Sequence, residues 1–248
     1  MGWTFVGGWL RMREVLPVLR KFGSDPENIL DAGCGMGAFT VMLSNLFDRA
    51  HIDAVDWEAT DRFRGQLTSV RQMLDDMGLS NVAVSKVNLL DMHEPRKYDL
   101  IVNIDVLEHI PGNKKIMRAF LDALRPGGTL ILHMPIKGVA ARSPFFPEPA
   151  LQALRDEHIG EMYDCAGLKQ TLIGVGFTQV EVRTTFHWFA QRAWEWDKII
   201  YYRLRFAYPL ILPFLKILGG LGQYLRLGRG HGILAIASRT IPAVARES

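Results

Sequence analysis

The chain has 248 residues, 48% of them hydrophobic and 22% charged, with a net charge of +3. That length buries one large core but crowds two full domains, and the composition excludes a disordered chain. The charge is too mild to argue for nucleic acid, and two cysteines without metal-ligand or disulfide-framework spacing, Cys34 and Cys165, make a reducing cytoplasm the expectation.

The first residues, Met1-Gly2-Trp3-Thr4-Phe5-Val6, lack the basic start of a signal peptide and the Ser or Thr that a myristoylation signal carries at position 6. A helical stripe covers 8–22, flawed by Pro17, and a turn follows at 23–26. Residues 28–32 read as a short buried strand, 38–46 as a helix, 51–55 as a second strand, 61–77 as a helix closing at Gly78, and 82–87 as a third strand. Residues 98–104 are apolar on both faces, as a central parallel strand should be. A helix over 114–124 ends at Arg125-Pro126-Gly127-Gly128 and leads into a strand over 129–134. This alternation predicts right-handed βαβ units in an open, doubly wound α/β sheet. Beyond Pro135 the rhythm loosens into an irregular loop at 143–149, a helix at 165–175, and strands at 179–185 and 232–239. The expected organisation is an N-terminal helical cap over 1–24, an α/β domain over 25–187 with 231–241, and a helical insertion over 188–230.

Asp31-Ala32-Gly33-Cys34-Gly35-Met36-Gly37 stands at the first strand-to-helix junction, where such a sheet binds nucleotide-like ligands. Glycines there let the backbone turn sharply and approach a ligand closely. The spacing also fits a dinucleotide fingerprint, so an NAD-dependent oxidoreductase stays open on the glycines alone. Asp31 tips the balance: a carboxylate at the strand tip repels a pyrophosphate but suits the cationic amino group and sulfonium of S-adenosylmethionine. Asp56, at the end of the second strand, is spaced to accept hydrogen bonds from ribose hydroxyls, and Trp57 is placed to pack on an adenine.

Together with the Tyr98 strand, Leu107-Glu108-His109-Ile110 and Arg125-Pro126-Gly127-Gly128, these motifs resemble the class I S-adenosylmethionine-dependent methyltransferase superfamily. The likeness is strongest over 28–135, and its flavour is that of the small-molecule enzymes that include the ubiquinone-biosynthesis O-methyltransferases. It implies a Rossmann-like seven-stranded sheet, mostly parallel with an antiparallel last strand. It also implies that Gly33, Cys34, Gly35 and Gly37 line the methionine end of the cofactor, with Asp31 near its amino group. Asp56 would hold the ribose. Asn88 stands where relatives often have an Asp on the adenine amine, and the Leu89 backbone would reach the ring. Asn103 would offer backbone groups to the methionine amine.

Methyl transfer from a sulfonium needs alignment and desolvation, with a base only where the nucleophile must lose a proton. Candidates for that role are His109 and Asp105 after the fourth strand, His133 near the end of the fifth, and His158 in the segment expected to cover the substrate. Each has a plainer reading: His109 and Glu108 as loop formers, His133 as a satisfied core histidine, Asp105 as an orienting group. Asp105 and Glu108 are close enough in sequence to share a divalent ion, but no ligand spacing compels a metal and none is expected.

The insertion mixes Trp188, Trp194, Trp196, Tyr201, Tyr202, Phe206 and Tyr208 with seven basic residues and only two acids, Glu195 and Asp197. Its most apolar part, 206–218, is interrupted by Pro209 and Pro213 and is too short to span a bilayer. It reads as a membrane-surface element, as a lid, or as a homodimer contact. The expected function is methylation, at oxygen, of a lipophilic or membrane-associated small molecule by a cytoplasmic or inner-face peripheral enzyme. Open beside it are N- or C-methylation of a lipid head group or lipid-linked sugar, and a non-catalytic cofactor-binding protein.

Overall fold

The computed structural model describes residues 6–22, 25–57, 64–138, 143–204 and 206–240. Its elements, in chain order, are α1 (Val6–Leu19), β1 (Asn28–Ala32), α2 (Ala38–Leu46), β2 (His51–Asp56), α3 (Gln66–Asp76), β3 (Val82–Lys86), β4 (Tyr98–Ile104) and α4 (Asn113–Ala123). There follow β5 (Leu124–Pro135), α5 (Glu148–Glu157), α6 (Cys165–Val175), β6 (Thr178–Thr185), α7 (Trp188–Arg203), α8 (Tyr208–Tyr224) and β7 (Gly232–Ser238). The seven strands form one sheet in the order β3-β2-β1-β4-β5-β7-β6. Every pairing is parallel except those of β7, which runs antiparallel to both β5 and β6. The seven-stranded, mostly parallel architecture expected from the sequence is therefore the one observed.

Alternation along the strands sends neighbouring side chains to opposite faces, and each face is covered. Ile29, Leu100 and Ile131 pack with Val15 and Leu19 of α1 and Leu43 of α2. Leu30, Ile101 and Leu130 pack on the other side with Ile116 and Phe120 of α4 and Leu168 and Leu172 of α6. Cys34, Val41 and Ala54 join Leu67, Val70 and Leu74 of α3 in a smaller cluster beyond α2. Across the edge of this core lies a separate cluster in which Val6 and Leu10 of α1 meet Ala190 and Ala193 of α7 and Leu212 and Leu215 of α8.

Three local expectations change. The run 143–149 is not loop throughout, because α5 begins at Glu148 with Pro149 in its first turn, where a missing N–H costs nothing. The stretch 206–218 is not broken by its prolines: Pro209 sits in the first turn of α8 and Pro213 lies inside a continuous 17-residue helix. Strand β5 starts at Leu124 and takes in the Arg125-Pro126-Gly127-Gly128 segment, with an irregular register opposite Tyr98 and Leu100. The expected helix start at Asp61, the outer parts of both termini, and Arg205 lie outside the described residues.

Candidate functional site

The sheet order reverses direction between β1 and β4, and the carboxyl ends of those strands open the crevice where ligands of such sheets bind. Gly33 and Cys34 both donate to the Val55 carbonyl, at 2.8 and 2.9 Å, and Gly37 donates to the Cys34 carbonyl at 2.9 Å. The turn so held has positive φ at Gly33, Gly35 and Gly37. A side chain at Gly33 would overlap Val106, whereas one at Gly35 would meet nothing within 4 Å, so the open side of the cradle is at Gly35.

Asp56 closes one end of this turn. Its carboxylate accepts from Gly35 N and from Trp57 N, both at 2.6 Å, which fixes its direction at the tip of β2. Trp57 is exposed, with the Lys86 ammonium 5.0 Å from its ring centroid. Asn88 caps the short turn Leu89–Asp91, accepting from Leu90 N and donating to Asp91. Leu89 is buried beside it.

Asp31 closes the other end. It is only 2% exposed and accepts from Thr40 Oγ1 at 2.6 Å. Burial pushes its carboxyl up to about 7, the Thr40 hydroxyl works against that, and the Asp56 charge adds to it. Asn103, fully buried at β4, donates from its amide to the Ala32 carbonyl at 2.7 Å, while its Oδ1 has no hydrogen-bond partner. An orphaned buried acceptor costs stability unless a ligand donor completes it. A half-protonated carboxyl, a bare amide oxygen and an open glycine cradle fit a ligand that ends in an ammonium group. The sequence places Asn103 here for its backbone; the structure adds its side chain.

A second group stands beyond β4. Asp105 takes a left-handed backbone, φ 53°, which a bulky side chain tolerates poorly and which turns its carboxylate back over the sheet. There it accepts from Arg11 Nε of α1 and bonds His133 Nδ1 of β5, while His133 Nε2 meets Thr185 Oγ1 at 2.9 Å. Burial alone would raise Asp105, but Arg11 and His133 outweigh it and hold the carboxylate below its ordinary range. His133 is 1% exposed and both its ring nitrogens are engaged, one of them with Asp105. Arg11, which sequence reasoning missed, also lies 5.7 Å from the Phe186 ring.

His109 and His158 come together although 49 positions separate them, because the segment at 157–163 is laid onto the loop after β4. Gly160 N donates to the Glu108 carbonyl at 2.8 Å, and Asn113 bonds Glu161 through both its backbone and its side chain. The two imidazole centroids are 5.2 Å apart. His109 Nδ1 lies 2.7 Å from the Glu157 carbonyl, which can only accept, so this nitrogen donates, while Nε2 lies 3.9 Å from a Glu108 carboxyl oxygen. Burial, and then the neighbouring His109, lower the proton affinity of His158 below the ordinary imidazole range. Glu108 is 1% exposed; burial and then the Asp105 charge push its carboxyl well above the carboxylate range. Glu108, His109 and His158 bring one ligand atom each within 4.8 Å of one another, a grouping that could hold a cation.

The family described as a methyltransferase domain matches residues 9–182. The chain is 30% identical over 122 residues to a trans-aconitate 2-methyltransferase of Streptomyces coelicolor, covering 49% of this chain and 39% of that one. It is 30% identical over 106 residues to a ubiquinone biosynthesis O-methyltransferase of Xanthomonas campestris, covering 42% and 41%. The chain thus spans about two fifths of the length of these curated relatives. In three dimensions it superposes on the phosphoethanolamine N-methyltransferase 2 of Haemonchus contortus, solved with S-adenosyl-L-methionine, with a TM-score of 0.66 at 18% identity. That alignment covers 92% of this chain and 52% of that one, and at such identity the likeness is one of fold.

Proposed function

This chain belongs to the methyltransferase-domain family, and from that premise we propose that it transfers a methyl group from S-adenosylmethionine to an oxygen of a lipophilic small molecule. The observation that carries the cofactor assignment is the bare Asn103 Oδ1 at the carboxyl end of β4, one strand over from Asp31 and the open Gly35 cradle that follows β1. In this reading Asp31 and Asn103 take the ammonium group, Gly33, Cys34, Gly35 and Gly37 line the chain that follows it, and Asp56 takes the ribose. Trp57, Asn88 and the Leu89 backbone flank the adenine. When bound, the cofactor supplies an electrophilic methyl group for in-line substitution; the protein's part is alignment, exclusion of water and, for a hydroxyl acceptor, removal of one proton.

His158, whose proton affinity burial lowers, and His109, held by its Nδ1 on the Glu157 carbonyl with the other ring nitrogen turned to this side, are the groups suited to take that proton. Asp105 stays ionised between Arg11 and His133 and acts as a positioning residue. Apolar groups border this side: Phe186 lies over Arg11, and Phe146 stacks on Trp194 at 5.4 Å between centroids. These supports favour a lipophilic acceptor over a highly charged one.

Titration calorimetry with S-adenosylhomocysteine and with NAD tests the cofactor. Binding of the first alone supports the proposal, and binding of NAD alone sinks it. Incubation with methyl-labelled S-adenosylmethionine and fractionated cell extract then tests the acceptor, with label expected in the organic-soluble fraction. Cofactor binding without any labelled product would instead mark a non-catalytic cofactor-binding protein.

A further inference from the structure

We propose that the outward face of α8 docks on an anionic phospholipid surface. Leu210, Phe214, Ile217, Leu221 and Tyr224 follow one another at steps of four and three, so they share one side of the helix. They are 75, 70, 65, 43 and 79% exposed, an uninterrupted apolar stripe that the protein itself leaves uncovered. The opposite side is spoken for: Leu212 and Leu215 are buried against α1 and α7. Gly219 lies against Leu10 and Ala193, and Gly222 against Ala190.

Charge selects the occupant. Between positions 188 and 230 the sequence has seven basic residues and two acids, Glu195 and Asp197. Both acids are fully buried, so they lend no negative charge to the surface. Arg203 precedes the stripe, Arg226 and Arg229 follow it, and all three are exposed. An apolar ridge with exposed arginines at both ends is complementary to acyl chains beneath anionic head groups. A two-fold pairing of two copies along the same stripe would set the Arg203 end of one helix against the Arg226 and Arg229 end of the other. Like charge would then meet like charge with no carboxylate between. Among the described residues no helix is long and apolar enough to cross a membrane, so α8 lies on the surface rather than through it.

The docking face stands independently of the chemistry; only its use as an entry route for the acceptor rests on the lipophilic-acceptor reading. α8 packs on the same α1 that carries Arg11 to Asp105, so α1 links the docking helix to the acceptor side of the crevice.

Flotation of the full chain with vesicles, in the absence of cofactor, is the test. Vesicles of phosphatidylcholine alone are compared with vesicles containing about one third phosphatidylglycerol. The protein should float with the anionic vesicles at low salt and much less with the neutral ones. The double variant Phe214→Asp/Ile217→Asp should lower the bound fraction about fivefold or more, since both side chains are exposed and their loss leaves the core intact. Circular dichroism checks its fold. Should that variant fail to fold, Arg226→Glu/Arg229→Glu serves instead and should abolish the salt-sensitive part of binding. Absence of flotation with anionic vesicles overturns the proposal, and so does binding that survives both variants. A dimer seen by light scattering that Phe214→Asp/Ile217→Asp dissociates, without any flotation, also overturns it and assigns the face to a second copy. Vesicle binding by a chain that fails to bind S-adenosylhomocysteine would refute the chemical reading and leave the docking surface standing.

Discussion

Gly33 and Gly35 share a positive φ but differ in what surrounds them, and the difference separates folding from binding. At Gly33 an added methyl would overlap Val106, so Gly33→Ala combines backbone strain with overpacking and should cost about 2–4 kcal/mol in chemical denaturation. At Gly35 there is open space, so Gly35→Ala should cost about 1 kcal/mol or slightly more in stability while S-adenosylhomocysteine affinity drops about tenfold or beyond. Asp31 gives a pH signature of its own. Its carboxyl, raised to about 7, is largely protonated in the free protein at pH 6, and a ligand ammonium group prefers the ionised form. Binding therefore releases a proton, and calorimetry should find affinity rising roughly tenfold from pH 6 to pH 8, a trend that Asp31→Asn flattens. Stability runs the other way. The native state keeps a proton that the unfolded chain sheds near pH 4, so it loses stability as pH climbs from about 4 to about 7.

Among the elements, α1 is tied to the sheet by polar joints that reach far along the chain. Arg11 reaches Asp105 across 94 positions, and Glu14 on the same helix pairs with Arg183 of β6 at 2.8 Å. A double-mutant cycle of Arg11→Gln with Asp105→Asn should give a coupling energy of about 2 kcal/mol; the asparagine keeps the left-handed backbone comfortable, so the cycle reports the joint and not the turn. Neither partner announces the other in sequence, because nothing in a helical stripe says which strand tip its arginine will meet. The same holds for His109 and His158, whose meeting depends on Gly160 lying flat on the Glu108 carbonyl. By contrast, β1, β4, α2 and α6 were legible, since each carries an apolar pattern of one period between turn residues. Proline misled twice. Pro149 reads as a loop former but opens α5, and Pro213 gives up one helical bond whose loss is offset by the burial of Leu212 and Leu215.

At the scale of the whole molecule, the described residues form two bodies of packing that meet but do not merge. One is the sheet core, through β1, β2 and β4. The other is the cluster of α1, α7 and α8, which shares none of its fully buried residues with that core. This helical cluster holds because α8 can approach closely: a Cβ at Gly222 would lie 2.7 Å from the Ala190 amide nitrogen and 3.0 Å from its Cβ. Backbone cannot yield as a flexible side chain does, so Gly222→Val should pry α8 from α7 while leaving the sheet untouched. Hydrogen exchange should then show amides of α7 and α8 opening at a free energy well below that of β1 and β4, by a margin larger than in the unmutated chain. S-adenosylhomocysteine affinity should stay within about twofold, because no cofactor contact proposed above comes from α7 or α8. Equal loss of protection in sheet and helical cluster would mean that the two fold as one unit. A lost cofactor site would mean that the helical cluster, through Arg11 and Asp105, reaches further into the glycine turn than its packing suggests.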